Sequence, residues 1–214
     1  MGDSAFYSLA TFAIAAWLFK SWLGDLSYFS KNGKPRKGAF PAAKPASGAV
    51  VALGAVAGVL WLAVVSGTEI LAGDVAAQSK VGCFVLLSWF GASFIEELIF
   101  RGYLGNLILG RGKIFLWGGV FVFSALFALA HPFLWDYAVP ENGSVSNAAF
   151  SINLTAKAAR DTLFVFFASV LFYTLRFCPA NKLRSLAPCI AAHFVYNAGV
   201  FCVKVAQGFV SWTF

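Results

Sequence analysis

The sequence predicts an all-α membrane protein, a bundle of about six transmembrane helices with a polar cavity inside the membrane. Three observations predict this class: the composition, the apolar runs of membrane-spanning length, and the few charges inside those runs. Of the 214 residues, 60% are apolar and only 12% are charged, whereas a soluble domain has roughly 45–50% apolar and about 25% charged residues. So few charges exclude an ordinary soluble enzyme, a disordered tail and a conventional nucleic-acid-binding domain.

The apolar runs set the predicted spans, because a spanning helix needs about 20 mainly apolar residues. In chain order the predicted spans are residues 5–22, 48–66, 82–109, 114–135, 162–177 and 186–206. The third is long and contains charged residues in its middle. Since the sequence has no internal repeat and no heptad pattern, we expect one polytopic membrane domain over residues 1–214.

Basic residues predict the orientation of these spans. The stretch between residues 31 and 48 is rich in Gly, Pro and Lys, which is typical of a loop without its own core, and residues 23–47 are predicted as a basic cytoplasmic loop. Lys and Arg gather in cytoplasmic loops, and here they concentrate in the loops after the first, third and fifth spans. These loops are therefore predicted in the cytoplasm, and both termini are expected outside. Binding of anionic lipid or nucleic acid is the alternative explanation for the run at 31–44. The basic residues on the predicted inner side are Lys20, Lys31, Lys34, Arg36, Lys37, Lys44, Arg111, Lys113, Arg176, Lys182 and Arg184.

Three charged residues lie in the middle of the third span: Glu96, Glu97 and Arg101. An ionisable group at this depth costs about 2.5–3.5 kcal/mol on insertion scales. Glu97 and Arg101 are four residues apart, so they share a helix face and can form an ion pair. Glu96 points about 100° away from that face and needs a partner on another helix. It is therefore the first candidate for a functional residue.

Other polar residues in the predicted spans are its possible partners. Both histidines of the chain, His131 and His193, fall in spans four and six. Asn197 follows His193 by four residues, and Phe127 precedes His131 by four, so each pair shares a helix face. Because burying these groups separately in lipid is costly, we expect them to gather in one hydrated site inside the bundle.

These motifs resemble the CPBP intramembrane protease family, which includes the type II CAAX-prenyl endopeptidases and bacteriocin-processing enzymes. The pattern is E-E-x-x-x-R, then F-x-x-x-H, then H-x-x-x-N, in that order on three spans, within roughly residues 94–200. Pro132 departs from the family pattern and should kink or end span four beside its histidine. The matching residues are Glu96, Glu97 and Arg101, then Phe127 and His131, then His193 and Asn197.

The resemblance implies an intramembrane endopeptidase with a catalytic core at about 82–206. Glu96 would act as general base on a water molecule that His131 also holds. His193 and Asn197 would form an oxyanion hole.

The resemblance gives the remaining matched residues supporting roles. Glu97 and Arg101 would fix the helix and the local field, and Phe127 would pack against His131. A glutamate mechanism without a cofactor is favoured over a zinc site formed by Glu96, His131 and His193, because H-E-x-x-H is absent and the three ligands would come from three helices. The expected partners are a membrane-anchored or lipidated polypeptide substrate and membrane lipid, without nucleic acid. The expected location is a prokaryotic inner membrane.

Two other functions fit the same buried polar residues. Intramembrane Glu, His and Arg also occur in proton relays, so a proton-coupled transporter is one alternative. Transporters commonly contain inverted repeats, and none is visible here. A non-catalytic membrane scaffold is the other alternative.

Overall fold

The computed structural model describes residues 2–138 and 149–212, and the fold over these ranges is all-α. A π-helical segment, Glu97–Leu104, joins α3 directly to α4, and a 3₁₀ turn spans Val75–Ala77. The helices in chain order are α1 Gly2–Asn32, α2 Gly48–Leu71, α3 Val85–Glu96, α4 Gly105–Ile108, α5 Lys113–Leu129, α6 Ala156–Phe177 and α7 Ala187–Ala206.

In the described residues, two short strand pairs are formed by segments that lie between helices or follow α7. They are too short to form a layer of the fold, so they leave the all-α class unchanged. β1 (Val81–Gly82) pairs in parallel with β4 (Val210–Ser211), and β2 (Trp135–Ala138) pairs antiparallel with β3 (Ala149–Ile152), with Trp135 opposite Ile152.

The helical segments correspond to the six predicted spans, and the predicted all-α membrane class is confirmed. Helices α1 (from Ala5), α2, α6 and α7 are long and apolar enough to cross a membrane, and α5 is a shorter apolar helix. The remaining segment is the continuous helical run over residues 85–108, which carries the three predicted mid-span charges. The polar cavity and the single polytopic domain stay predictions.

The first predicted span, 5–22, is too short. Helix α1 continues through Lys20 and Lys31 to Asn32, so these two lysines are helical rather than part of a loop. The helix ends because Gly33 takes a left-handed conformation, φ +68°, and its N–H donates to the Phe29 carbonyl at 2.8 Å. Glycine adopts this conformation without a steric cost, which makes it a common residue after a helix end.

The predicted loop 23–47 therefore begins at residue 33, and part of it packs into the core instead of standing free. Ala42 and Ala43 are buried together with Trp22, Phe94 and Leu98. Asp25 on α1 anchors the loop, because its carboxylate is 2% exposed, accepts from the Phe40 N–H at 2.8 Å and pairs with Arg36.

The helices that correspond to the fourth and fifth predicted spans begin or end at other residues than predicted. Helix α5 ends at Leu129, not at residue 135, because Pro132 cannot continue a helical hydrogen-bond ladder. His131 thus lies just beyond the helix instead of within a span. Helix α6 begins at Ala156, earlier than the predicted residue 162, since Thr155 caps it through a bond from the Ala158 N–H to Oγ1 at 3.2 Å.

The chain divides into two compact units. The first comprises residues 1–109 and 172–214, with helices α1 to α4, α7 and the end of α6. Its core is built around Trp22, Phe94, Leu98, Leu186 and Ile190. The second comprises residues 110–171, with α5 and most of α6, where the Ser169 hydroxyl donates to the Ser124 hydroxyl at 2.9 Å.

Helices α2 and α7 approach so closely that only glycine fits at two positions. A methyl group added at Gly54 would lie 2.1 Å from the Pro188 carbonyl oxygen, and one at Gly58 would lie 2.4 Å from that of Ala192. Glycines four residues apart are a familiar contact surface between membrane helices. This contact fixes the segment of α7 that contains His193.

Candidate functional site

The π-helical segment holds a fully buried ion pair. Neither Glu97 nor Arg101 exposes any side-chain surface, and the Arg101 Nη1 lies 3.2 Å from the Glu97 Oε1. The segment has the π-type hydrogen bond from the Gly105 N–H to the Phe100 carbonyl. Such segments are rare and frequently occur at functional sites.

Two aromatic side chains from the end of α6 enclose the Arg101 guanidinium. Its central carbon lies 5.3 Å from the ring centre of Phe172 and 5.1 Å from that of Tyr173, within the range of cation–π attraction. The Tyr173 hydroxyl also donates to the Phe100 carbonyl at 2.6 Å. These contacts hold the guanidinium in a place where water is excluded.

His193 links the buried ion pair to Glu96. Its Nδ1 donates to the Glu97 Oε1 at 2.9 Å, and its Nε2 lies 3.8 Å from the Glu96 Oε2. The Glu97 side chain is 0% exposed, whereas that of Glu96 is 29% exposed. Glu97 therefore fixes the ring orientation, and the other ring nitrogen faces the accessible carboxylate. The Phe172 ring, 5.2 Å from that of His193, packs against the imidazole.

Asn197 lies on the same side of α7 as His193 and contacts α3. Its Nδ2 donates to the Ser93 Oγ at 2.7 Å and to the Trp89 carbonyl at 3.3 Å. Ser93 is fully buried, and its hydroxyl donates to the Trp89 carbonyl at 2.6 Å. Glu96, Glu97, Arg101, His193 and Asn197 are thus gathered where α3 and the π-helical segment meet α7.

His131 and Phe127 lie in the second unit. The His131 Nδ1 donates to the Phe127 carbonyl at 2.8 Å, and the two rings meet edge to face with their centres 4.8 Å apart. The Phe133 ring stacks on the imidazole from 6.2 Å. Because Nδ1 carries the proton in this bond, Nε2 of the neutral ring is an acceptor.

Comparison with known families identifies the chain. Residues 78–199 match the family described as Type II CAAX prenyl endopeptidase Rce1-like. The chain belongs to this family. The resemblance to CPBP intramembrane proteases is therefore confirmed, and the match contains every candidate residue from Glu96 to Asn197. Comparisons with curated proteins and with solved structures gave no match.

Membership of the Rce1-like family indicates the general activity of the protein and its location in a membrane. Members of the Rce1-like family are intramembrane CAAX-type endopeptidases, and the apolar helices make this protein an integral membrane protein. The orientation of its termini and the prokaryotic inner membrane stay predictions.

Sequence reasoning did not find the residues that position the site. Ser93 precedes Glu97 by four residues, so helical spacing alone could have placed both on one face. Phe172 and Tyr173 gave no signal, because aromatic pairs are common in a chain with 24 Phe and 6 Tyr. The contact between α3 and α7 depends on residues about a hundred positions apart.

Proposed function

We propose that this Rce1-like protein hydrolyses a peptide bond in a membrane-associated, prenylated polypeptide, with Glu96 as the general base. The single observation that supports this most strongly is the arrangement around His193. One of its ring nitrogens is held by the buried Glu97, and the other faces the partly exposed Glu96.

In this mechanism Glu96 takes a proton from the attacking water and then gives it to the leaving amine as the C–N bond breaks. A general base must be within hydrogen-bond reach of the proton that it removes, and the 29% exposure of the Glu96 side chain gives water access. By its family resemblance, His131 holds the same water. The bond from Nδ1 to the Phe127 carbonyl supports that role, because it leaves Nε2 as an acceptor.

His193 stabilises the oxyanion that develops as water attacks the carbonyl. When its ring is protonated, Nε2 donates a hydrogen bond to the negative oxygen. Glu97 accepts from Nδ1 and so holds the ring in position, while Arg101 balances the charge of Glu97. The resemblance also implies oxyanion donation by Asn197. This role stays part of the proposal; in the structure the Asn197 Nδ2 donates to the Ser93 Oγ and to the Trp89 carbonyl on α3.

A zinc mechanism with Glu96, His131 and His193 as ligands is the alternative within the same activity. The His193 Nδ1 is engaged by Glu97, so only Nε2 could coordinate a metal. Three protein ligands are usual at a catalytic zinc site. We expect the purified active protein to contain no stoichiometric zinc and to keep its activity in a chelator. Loss of activity in a chelator, restored by zinc, would favour the metal mechanism.

Glu96→Gln tests the proposed function, because it removes the base and preserves the side-chain shape. With the protein in liposomes and a farnesylated peptide ending in a C-a-a-X sequence, we expect cleavage to fall about 10²- to 10⁴-fold. Glu69→Gln is the matched control, since Glu69 lies at the end of α2 and bonds Gln78 instead of the site. Cleavage at the wild-type rate by the Glu96 variant would reject the mechanism. Loss of a proton flux instead would favour a transporter.

A further inference from the structure

The π-helical segment interrupts the continuous helical run over residues 85–108. In an α-helix each N–H donates to the carbonyl four residues earlier, whereas the Gly105 N–H donates to the Phe100 carbonyl, five residues earlier. Moving these bonds by one position would turn the chain on one side of the segment by about 100° against the other side. The direction in which Glu97 and Arg101 point therefore depends on this hydrogen-bond pattern, which we call the π register.

The helices on both sides of the segment are tightly packed. A methyl group added at Gly91 of α3 would lie 3.1 Å from the Thr11 carbonyl oxygen of α1. On the other side, a methyl group added at Gly105 of α4 would lie 2.1 Å from the Arg176 Nη1. Because close-packed neighbours leave neither helix room to turn freely, the rotation between α3 and α4 is set by the register of the segment.

Two buried side chains near the end of α6 donate to carbonyls of the segment. The Tyr173 hydroxyl donates to the Phe100 carbonyl at 2.6 Å. The Arg176 Nη1 donates to the Gly102 carbonyl at 3.3 Å. Tyr173 is 0% and Arg176 is 1% exposed, and at a spacing of three residues they share one face of α6. Irregular helical backbone at membrane depth is tolerated where neighbouring helices satisfy its polar groups, and these two donors do so.

Arg176 also spans the end of the segment. Its Nη1 binds Gly102 within the segment, and its Nη2 donates to the Asn106 Oδ1 on α4. Its Nε donates to the Arg184 carbonyl at 3.5 Å, which fixes the guanidinium from another side. Gly105 leaves the space that this group occupies. Because the guanidinium is a rigid planar fork, it holds the last turn of the segment and α4 in one relative orientation.

We propose that Tyr173 and Arg176 are positioning residues that keep residues 97–104 in the π register, and thereby keep Glu97 in place against His193. This inference rests on the proposed endopeptidase function, in which the Glu97 Oε1 accepts from the His193 Nδ1 at 2.9 Å. A misplacement of about 1 Å can cost about 10²-fold in rate, and a change of register would separate the imidazole from its carboxylate. Neither positioning residue needs to touch the substrate for this effect.

Kinetics test this role. Tyr173→Phe removes the hydroxyl and keeps the ring beside Arg101, whereas Arg176→Lys keeps the charge and loses the planar fork. With the farnesylated C-a-a-X peptide, we expect each variant to lower kcat about 10- to 100-fold. KM should stay unchanged within about twofold, because loss of an interaction that matters only in the transition state lowers kcat and kcat/KM equally. Tyr28→Phe is the matched control, since it removes the same hydroxyl from an exposed ring on α1, and its kcat should be that of the wild type.

A measurement independent of cleavage reports the register itself. The dipeptide Phe-Arg occurs once in the sequence, at residues 100–101. Protein labelled with ¹³C at the Phe carbonyls and with ¹⁵N in Arg therefore gives one coupled NMR signal, from a peptide bond inside the segment. Arg176 donates to Gly102 and Asn106 rather than to this peptide bond, so a displaced signal in Arg176→Lys reports a changed register. We expect that displacement, and an unchanged signal in Tyr28→Phe.

Three results would overturn the inference: wild-type kcat for Tyr173→Phe and Arg176→Lys, a raised KM at constant kcat in either variant, or an unmoved Phe-Arg signal in Arg176→Lys. Thermal unfolding establishes that each variant is folded, and should Arg176→Lys not fold, the kcat of Tyr173→Phe decides alone. Failure of the proposed function gives a different result, namely no cleavage by the wild type or full cleavage by Glu96→Gln. The NMR signal then still decides whether the end of α6 holds the register.

Discussion

The His193 imidazole lies between two carboxylates in different surroundings. Glu97 is fully buried and shared with Arg101, whereas Glu96 is partly exposed and lies 3.8 Å from Nε2. A buried ion pair is costly to break, because the remaining charge stays in a medium of low polarity. The same carboxylate that orients the His193 imidazole should therefore also stabilise the fold.

Glu97→Gln should separate these two contributions. We expect it to lower the free energy of unfolding by about 3–5 kcal/mol, because the buried Arg101 loses its compensating carboxylate. We also expect a lower kcat, because an amide oxygen accepts a weaker hydrogen bond from the His193 Nδ1 than a carboxylate does. Replacing Arg101 as well, in Glu97→Gln/Arg101→Met, should recover most of the stability and none of the activity. Thermal unfolding and peptide cleavage measure the two effects. A Glu97→Gln enzyme with the wild-type kcat would contradict the orienting role.

At the scale of the helices, the contact between α2 and α7 determines where His193 lies. Gly58 on α2 meets the backbone of Ala192, the residue just before His193. A side chain at this position has backbone as its neighbour and cannot be accommodated by a rotamer change. The two helices must therefore move apart if anything larger than glycine is introduced.

Two glycine-to-alanine variants on α2 test this contact. Gly58→Ala changes the contact with α7, and Gly67→Ala makes the same substitution away from it. At Gly58 the added methyl would lie 2.4 Å from the Ala192 carbonyl oxygen, whereas at Gly67 it meets nothing within 4 Å. We expect Gly58→Ala to lower both Tm and kcat by displacing α7. Gly67→Ala should preserve activity and stabilise the protein by about 0.5–1 kcal/mol, the usual gain in a helix interior. Equal behaviour of the two variants would show that the close approach is not required.

At the scale of the whole molecule, the basic residues predict the orientation in the membrane. The loop over residues 33–47 contains Lys34, Arg36, Lys37 and Lys44, and Arg36 pairs with Asp25 on α1. Juxtamembrane lysines favour the cytoplasmic side. The loop between α2 and α3 should then lie outside.

Single cysteines introduced by Lys37→Cys and Asp74→Cys test this orientation, in a background whose four native cysteines are replaced by alanine. With a membrane-impermeant maleimide, Asp74→Cys should react in intact bacterial cells, and Lys37→Cys only after the membrane is opened. Labelling of both after opening is the control for accessibility. The reverse pattern would show that the predicted orientation is wrong.

Sequence alone determined the membrane class, the number of helical segments and the family. These depend on properties that are local or ordered along the chain: apolar runs of spanning length, a scarcity of charge, and three motifs in succession. It also located the ion pair between Glu97 and Arg101, because their spacing of four residues fixes a shared helix face.

Only the tertiary structure decided which partner each polar group has. It brought Glu97 to Nδ1 of His193 and left Glu96 facing Nε2, and it directed both N–H groups of Asn197 to Ser93 and Trp89. The sequence could not predict these contacts, because they depend on the axial offset and rotation of α3 against α7, which packing sets. Glycines such as Gly58 determine how closely the helices approach, and at hydrogen-bond distances a shift of one ångström changes which atoms are partners.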